Sequence, residues 1–171
     1  MTLLSRLIGK RRDLREPVRP LWHRIVEIAR EKHWYAQCGV TDSISGRFDV
    51  VALVMALVLL RMERDPALAE PSVRLTELFV EDMDGQLRQS GVGDPTVGKH
   101  IGTLMGTLGG RLGAMRESMP RGEAALLPVL ERNMTLNQEA DIGLLAERTI
   151  ALARQLEALS DEDLLAARIE R

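Results

Sequence analysis

The chain has 171 residues, a net charge of −2 and 45% apolar residues, of which only two Trp, one Tyr and two Phe are aromatic. That length suits one domain and can bury a core without staples. The single Cys38 excludes an internal disulfide and a cysteine-rich zinc site, and it fits a reducing compartment. A core of Leu, Val, Ile, Met and Ala favours helix over sheet. The expected fold is all-α: a single compact multi-helix domain around a buried apolar central helix.

Charge is uneven along the chain. Residues 1–30 carry eight basic and three acidic side chains, a net of +5, and residues 121–171 carry six basic and ten acidic, a net of −4. A basic start favours anionic lipid or RNA, or is simply a solvated end. Basic residues are not interleaved with aromatics as a stacking surface for nucleic acid requires, so DNA is not an expected partner.

Residues 1–12 place Leu3, Leu4, Leu7 and Ile8 on one helical face and end in Lys10, Arg11 and Arg12. The segment lacks the apolar stretch and cleavage site of a signal peptide. Two readings stay open: an amphipathic helix on a membrane surface, or a terminal helix docked on the core. The organisation expected is a basic amphipathic segment over 1–16, a helical domain over 17–160 and a charged segment over 161–171 that frays.

Pro17 and Pro20 bracket a helix start. Leu21, Trp22, Ile25, Val26, Ile28 and Ala29 then recur at helical spacing through Trp34. His23 and His33 are too far apart on this helix to share a ligand site. Gly39 suits a helix C-cap. Gly39, Thr41, Asp42, Ser43, Ser45 and Gly46 form a turn-rich loop, and Arg47 and Asp49 sit where it meets the next helix. From Val50 to Leu60 run eleven apolar residues with no polar interruption before Arg61. A membrane-crossing helix needs about 20, so this run reads as the central buried helix.

Glu63 to Pro71 reads as a loop. The next helix spans about Val73 to Gln89, with Leu75, Leu78, Phe79, Met83 and Leu87 as its apolar stripe. Asp82 falls inside that stripe and Asp84 on the far side. A carboxylate on a buried face is costly unless paired, and Arg47 is its expected partner. Asp94 and Pro95 suit the cap and first turn of a further helix over 95–118. Gly98, Gly102, Gly106 and Gly110 repeat there every four residues. The pattern reads either as a close backbone contact inside the domain or as a groove for another helix. It is not a phosphate loop, having no Gly-Lys-Ser/Thr ending. Residues 123–134 and 139–159 are helical patterns, and Ser160 ahead of three acidic residues caps a last short helix.

Catalytic constellations are missing from the sequence. Asp42, Asp49, Asp82, Asp84 and Asp94 invite a metal reading, but Asp82 and Asp84 point about 160° apart on a helix and cannot share an ion. No HExxH, GxSxG or Glu-x-x-His pair occurs. Cys38 has no evident activating neighbour and reads as a small packed thiol. No residue argues for a cofactor. Met55 and Met83 read as core. Met62, Met105, Met115 and Met119 are candidates for adaptable apolar surface.

Three blocks carry a resemblance. His33-Trp34-Tyr35, then Gly39-Val40-Thr41-Asp42, then Gly46-Arg47-Phe48-Asp49 resembles the first signature of the ubiquinol-cytochrome c chaperones. Phe79-Val80-Glu81-Asp82-Met83-Asp84 with Leu87-Arg88 resembles the second. Gly91-Val92-Gly93-Asp94 with Val97-Gly98-Lys99 resembles the third. The match covers roughly Trp22 to Arg116. The chain departs from the family in having Leu53-Val54 where a leucine-histidine step is common. Its fourth main helix is rich in glycine rather than in lysine and aromatics.

The resemblance implies a non-catalytic helical assembly factor for the bc1 complex. Its client is cytochrome b or another bc1 subunit, and it acts in the cytoplasm or peripherally at the inner face of the membrane; residues 1–12, outside the span of the resemblance, offer a membrane contact by their own pattern. Mitochondrial relatives also work with a small partner near the ribosome; neither contact follows for this chain, nor does an oligomeric state. The residues implied for the motif and client surface are Trp34, Tyr35, Gly39, Asp42, Gly46, Arg47, Phe48, Asp49, Asp82, Asp84, Arg88, Gly93 and Asp94. The competing readings are a peripheral membrane adaptor for another client and a metal-dependent enzyme built on the aspartates.

Overall fold

The computed structural model describes residues 13–89 and 94–170, with side chains over 13–86 and 102–170. Residues 1–12, and the two readings of them, lie outside the described residues. Eight helices follow in order: α1 (Arg19–Ala29), α2 (Lys32–Ala36), α3 (Ile44–Met62), α4 (Ala69–Gln89), α5 (Asp94–Ser118), α6 (Glu123–Asn133), α7 (Ile142–Ala158) and α8 (Asp161–Leu165). Among the described residues the only extended pairing is an isolated antiparallel bridge between Val40 and Leu136. The fold is all-α in one compact domain.

α3 is the centre. Ser43 caps it, its hydroxyl accepting the Gly46 N–H at 3.1 Å. Every residue from Ala52 to Leu59 is buried, and α1, α4, α5 and α7 all pack against the helix. The uninterrupted apolar run is thus explained by contact on all sides. Three charged residues at its far end tie it outward: Arg61 to Asp161 and the Leu159 carbonyl, Arg64 to Glu157, and Glu63 to Arg116.

The helical pattern through Trp34 divides at Arg30–Glu31, where Glu31 takes an extended conformation. Side-chain donors cause the break. The Trp34 indole N–H donates to the Ile28 carbonyl at 2.8 Å, and the Tyr35 hydroxyl to the Ala29 carbonyl at 2.7 Å. The Ile28 carbonyl also accepts the Glu31 N–H at 3.1 Å, so these donors finish the carboxy-terminal end of α1, and α2 is a separate turn. The expected loop over 63–71 is shorter than its prolines suggest. Asp65 caps a 3-10 turn over Pro66–Leu68, and α4 begins at Ala69 with Pro71 in its first turn, where a missing N–H costs nothing.

The charged carboxy-terminal segment packs rather than frays. Leu164 and Ile169 are buried, and Arg24 of α1 donates to the Ile169 carbonyl at 2.6 and 3.0 Å. Ser160 caps α8 as its sequence indicates.

The described glycines of α5, 102–113, make no close internal contact, which corrects the first of the two readings for them; Gly98 lies outside the described side chains. A Cβ placed at Gly102, Gly106, Gly109, Gly110 or Gly113 would meet nothing within 4 Å. The helix packs through its opposite face, with Leu108, Arg111, Met115 and Ser118 buried.

Candidate functional site

The loop between α2 and α3 is shaped by two glycines. Gly39 adopts φ +77°, and a Cβ there would lie 2.3 Å from Ala140 Cα. A Cβ at Gly46 would lie 1.9 Å from the Thr41 carbonyl oxygen. Neither position accepts another residue without backbone movement. The loop is laced to the α6–α7 connection. Asn137 N–H donates to the Gly39 carbonyl at 2.9 Å, and Thr41 N–H donates to the Thr135 carbonyl at 2.8 Å. Cys38 is buried beneath it, and burial pushes its thiol pKa up, so it is a poor nucleophile.

Asp49 sits at the focus of this lacing. Its carboxylate accepts from the Arg111 guanidinium on one oxygen, and from Thr135 N–H at 2.8 Å and Thr135 Oγ1 at 2.6 Å on the other. Arg111 also donates to the Asp49 carbonyl at 3.1 Å. Both charged residues are buried, at 6% and 7% exposure. The Arg111 guanidinium lies 5.6 Å from the centre of the Phe48 ring, within cation–π range. One carboxylate therefore joins α3, α5 and the α6–α7 link.

Arg111 and Thr135 are the residues that the sequence reading missed. A signal existed for Arg111: it falls on the same α5 face as Leu108, Leu112 and Met115, a cation inside an apolar stripe. Nothing local marks Thr135, which reaches Asp49 from 86 positions away.

Phe79 joins the second signature block to the first. It is fully buried, with its ring edge-on to Trp22 at 6.0 Å and tilted against Phe48 at 6.2 Å. Three of the five aromatics thus gather where α1, α3 and α4 meet.

The expected Arg47–Asp82 pair does not form. Arg47 Nε donates to Asp42 Oδ1 at 2.6 Å, with both side chains more than half exposed. The Arg47 guanidinium holds the Asp42 carboxyl below its usual range. Arg47 and Asp49 stand about 200° apart around α3, so only one of them can face the interior, and it is Asp49. Asp82 is half-buried and takes a 3.5 Å contact from the Gln86 amide. It lines a hollow of about 300 Å³ between α1 and α4, with Arg19, Trp22, His23, Leu78, Glu81 and Gly85. Arg15 donates to Glu81 at 2.6 Å just outside it. Asp84 is half-buried on the same helix. The Arg88 side chain, Gly93 and the Asp94 side chain lie outside the described residues.

Near the loop the surface is mixed. Ile44 is 84% exposed on the first turn of α3. Tyr35, Asp42 and Arg47 are close enough to influence one another electrostatically. Among the methionines Met55, Met62, Met83 and Met115 are core, which corrects the surface role for Met62 and Met115. Met105 is 40% exposed and Met119 half-buried. Met119 walls a second hollow of about 240 Å³ with Leu57, Leu60, Pro120 and Ala153, rimmed by Arg61, Arg64 and Arg116. No group of three or more metal-ligating side chains converges among the described residues, and no described helix is long and apolar enough to cross a membrane.

The family profile described as Ubiquinol-cytochrome C chaperone matches residues 36–171. The fold is similar to the crystal structure of the Cbp3 homolog from Brucella abortus. The TM-score is 0.81 at 30% identity, over 99% of this chain and 96% of that one. No curated protein matches the chain. A profile match over most of the sequence and a likeness over its whole length agree with the first two signature blocks, which gather around Asp49 and Phe79, and the chain belongs to the ubiquinol-cytochrome c chaperone family.

Proposed function

We propose that this protein is a non-catalytic assembly chaperone that holds newly made cytochrome b, or a related membrane subunit, during biogenesis of the bc1 complex. The observation that carries the reading is the division of labour within the first signature block. Trp34, Gly39, Gly46 and Asp49 are committed to holding the α2–α3 loop in one shape. Asp42 stands on that loop and Tyr35, Ile44 and Arg47 on the helix turns that flank it, all partly or fully exposed. A rigid platform with a tyrosine, an arginine and a bare aliphatic side chain suits protein binding, since such residues dominate interface energetics. Asp82 extends the client surface along one side of α4, and Asp84, half-buried, lies about 160° around that helix from it. The basic start of the chain supports a peripheral position at the inner face of the membrane, with residues 1–12 as the lipid contact.

The test is a reduced-minus-oxidised haem spectrum of membranes from a deletion strain, complemented with wild-type or Ile44→Glu protein. Loss of the b-type signal in the deletion, rescue by wild type and failure of rescue by a folded Ile44→Glu variant are expected. Surface changes of this kind alter stability by about 0.5 kcal/mol or less, so thermal unfolding of the variant should match wild type. An unchanged b-type signal in the deletion strain would refute the client assignment.

A further inference from the structure

The hollow between α1 and α4 has a volume of about 300 Å³, at the lower end of the range for ligand pockets. Two polar groups in its wall lack partners. One is a donor. Trp22 is only 5% exposed, and a buried indole N–H normally finds an acceptor, as the Trp34 N–H does on the Ile28 carbonyl. The Trp22 N–H has no acceptor among the described residues, yet it is not sealed in the core. It therefore opens on the hollow that Trp22 lines.

The other group is an acceptor. Among the described residues the Asp82 carboxylate has only the 3.5 Å contact from the Gln86 amide and no ion-pair partner. The cations nearby are already committed: Arg19 to Asp13 and Glu16, and Arg15 to Asp13 and Glu81. The charge left uncompensated in the hollow is thus negative, which disfavours a phosphate and favours a cation. A fitting occupant brings a cation for Asp82, an acceptor for the indole N–H and an apolar stem to lie along Leu78. A lysine or arginine within a peptide has all three, since its methylenes pack on apolar surface while its charged head stays outward and its backbone supplies the carbonyl.

We propose that the α1–α4 hollow takes one lysine or arginine side chain of the client, its charge on Asp82 and the carbonyl of its own segment on the Trp22 N–H. The inference rests on the proposed role with membrane subunits, whose short loops on the cytoplasmic side are rich in these two residues.

Nuclear magnetic resonance of the ¹⁵N-labelled full chain tests it, because the two indole N–H signals separate the hollow from the core. The probe is a capped peptide with one arginine flanked by leucines, and its control is the same peptide with uncharged citrulline in place of arginine. The arginine peptide should move the Trp22 signal and leave that of Trp34 in place. Citrulline in the peptide, or Asp82→Asn in the protein, should weaken binding at least about tenfold. Glu131→Gln, on the exposed face of α6, should bind as wild type does. A still Trp22 signal, equal binding of the two peptides, or equal binding by Asp82→Asn would overturn the proposal. Glycerophosphoethanolamine moving the Trp22 signal at lower concentration than the peptide would overturn it too, by making the hollow a lipid-headgroup site. The haem spectrum of the deletion strain tests the client separately, so either reading can fail without the other.

Discussion

Replacing Asp49 with alanine should strand the Arg111 guanidinium in the core. Three groups lose their acceptor together: the guanidinium, Thr135 N–H and Thr135 Oγ1. At 7% exposure Arg111 has little water to turn to. Removing one partner of a buried ion pair costs about 3–5 kcal/mol. For a chain of this size each kcal/mol lowers the melting temperature by about 2–4 °C, so Asp49→Ala should melt about 6–20 °C below wild type. Circular dichroism at 222 nm against temperature at neutral pH reads this directly. The double variant Asp49→Leu/Arg111→Met carries no stranded charge and should melt above Asp49→Ala, since well-packed apolar pairs often match a buried ion pair. A single variant within 2 °C of wild type on the scale used here, or a double variant no better than the single, would refute the clamp.

Gly46→Ala should destabilise by at least about 1–3 kcal/mol, because the new methyl meets the Thr41 backbone oxygen rather than a side chain that can move; chemical denaturation checks this, and a shift below 0.5 kcal/mol would mean that the loop yields. Cys38 should resist a thiol reagent at pH 8 in the folded protein and react fully in denaturant, since burial raises its pKa; equal rates in both states would show the loop to be open. Asp163 has its carboxyl lowered from 3.8 by the Ser160 hydroxyl and Arg168. Its contribution is therefore present above about pH 3.8 and lost as pH falls through the lowered value. The acid limb of the unfolding curve should flatten in Asp163→Asn, and an identical limb would remove this residue from the account.

Much of the fold was legible because burial writes itself into local pattern. The run from Val50 to Leu60 has no polar interruption since α3 is packed on every side, and Ser160 caps its helix as its position indicates. What stayed hidden depends on contacts between distant segments. Helical periodicity runs straight through Arg30–Glu31, and only the hydrogen bonds from Trp34 and Tyr35 explain the break. Asp82 looked like the acid that needed a cation, but a wheel projection cannot say how far a stripe is covered. Asp49 read as a residue where the loop meets α3, with no partner assigned, but its partners lie 62 and 86 positions away. The glycines of α5 suggested close packing because that is their common use; in this chain the described ones face away from it.

The bond from Arg24 to the Ile169 carbonyl spans 145 positions, and this has a consequence for synthesis. α1 cannot make this contact until Ile169 has left the ribosome. At about 5–20 residues per second, the interval between the emergence of Arg24 and that of Ile169 is about 7–30 s. Throughout that time the apolar faces of α1 and α3 lack part of their cover. The nascent form of this protein is thus itself a candidate substrate for general chaperones. Early truncations should accumulate as aggregates, whereas loss of Ile169 and Glu170 alone should yield a folded domain whose first helix exchanges faster than its third.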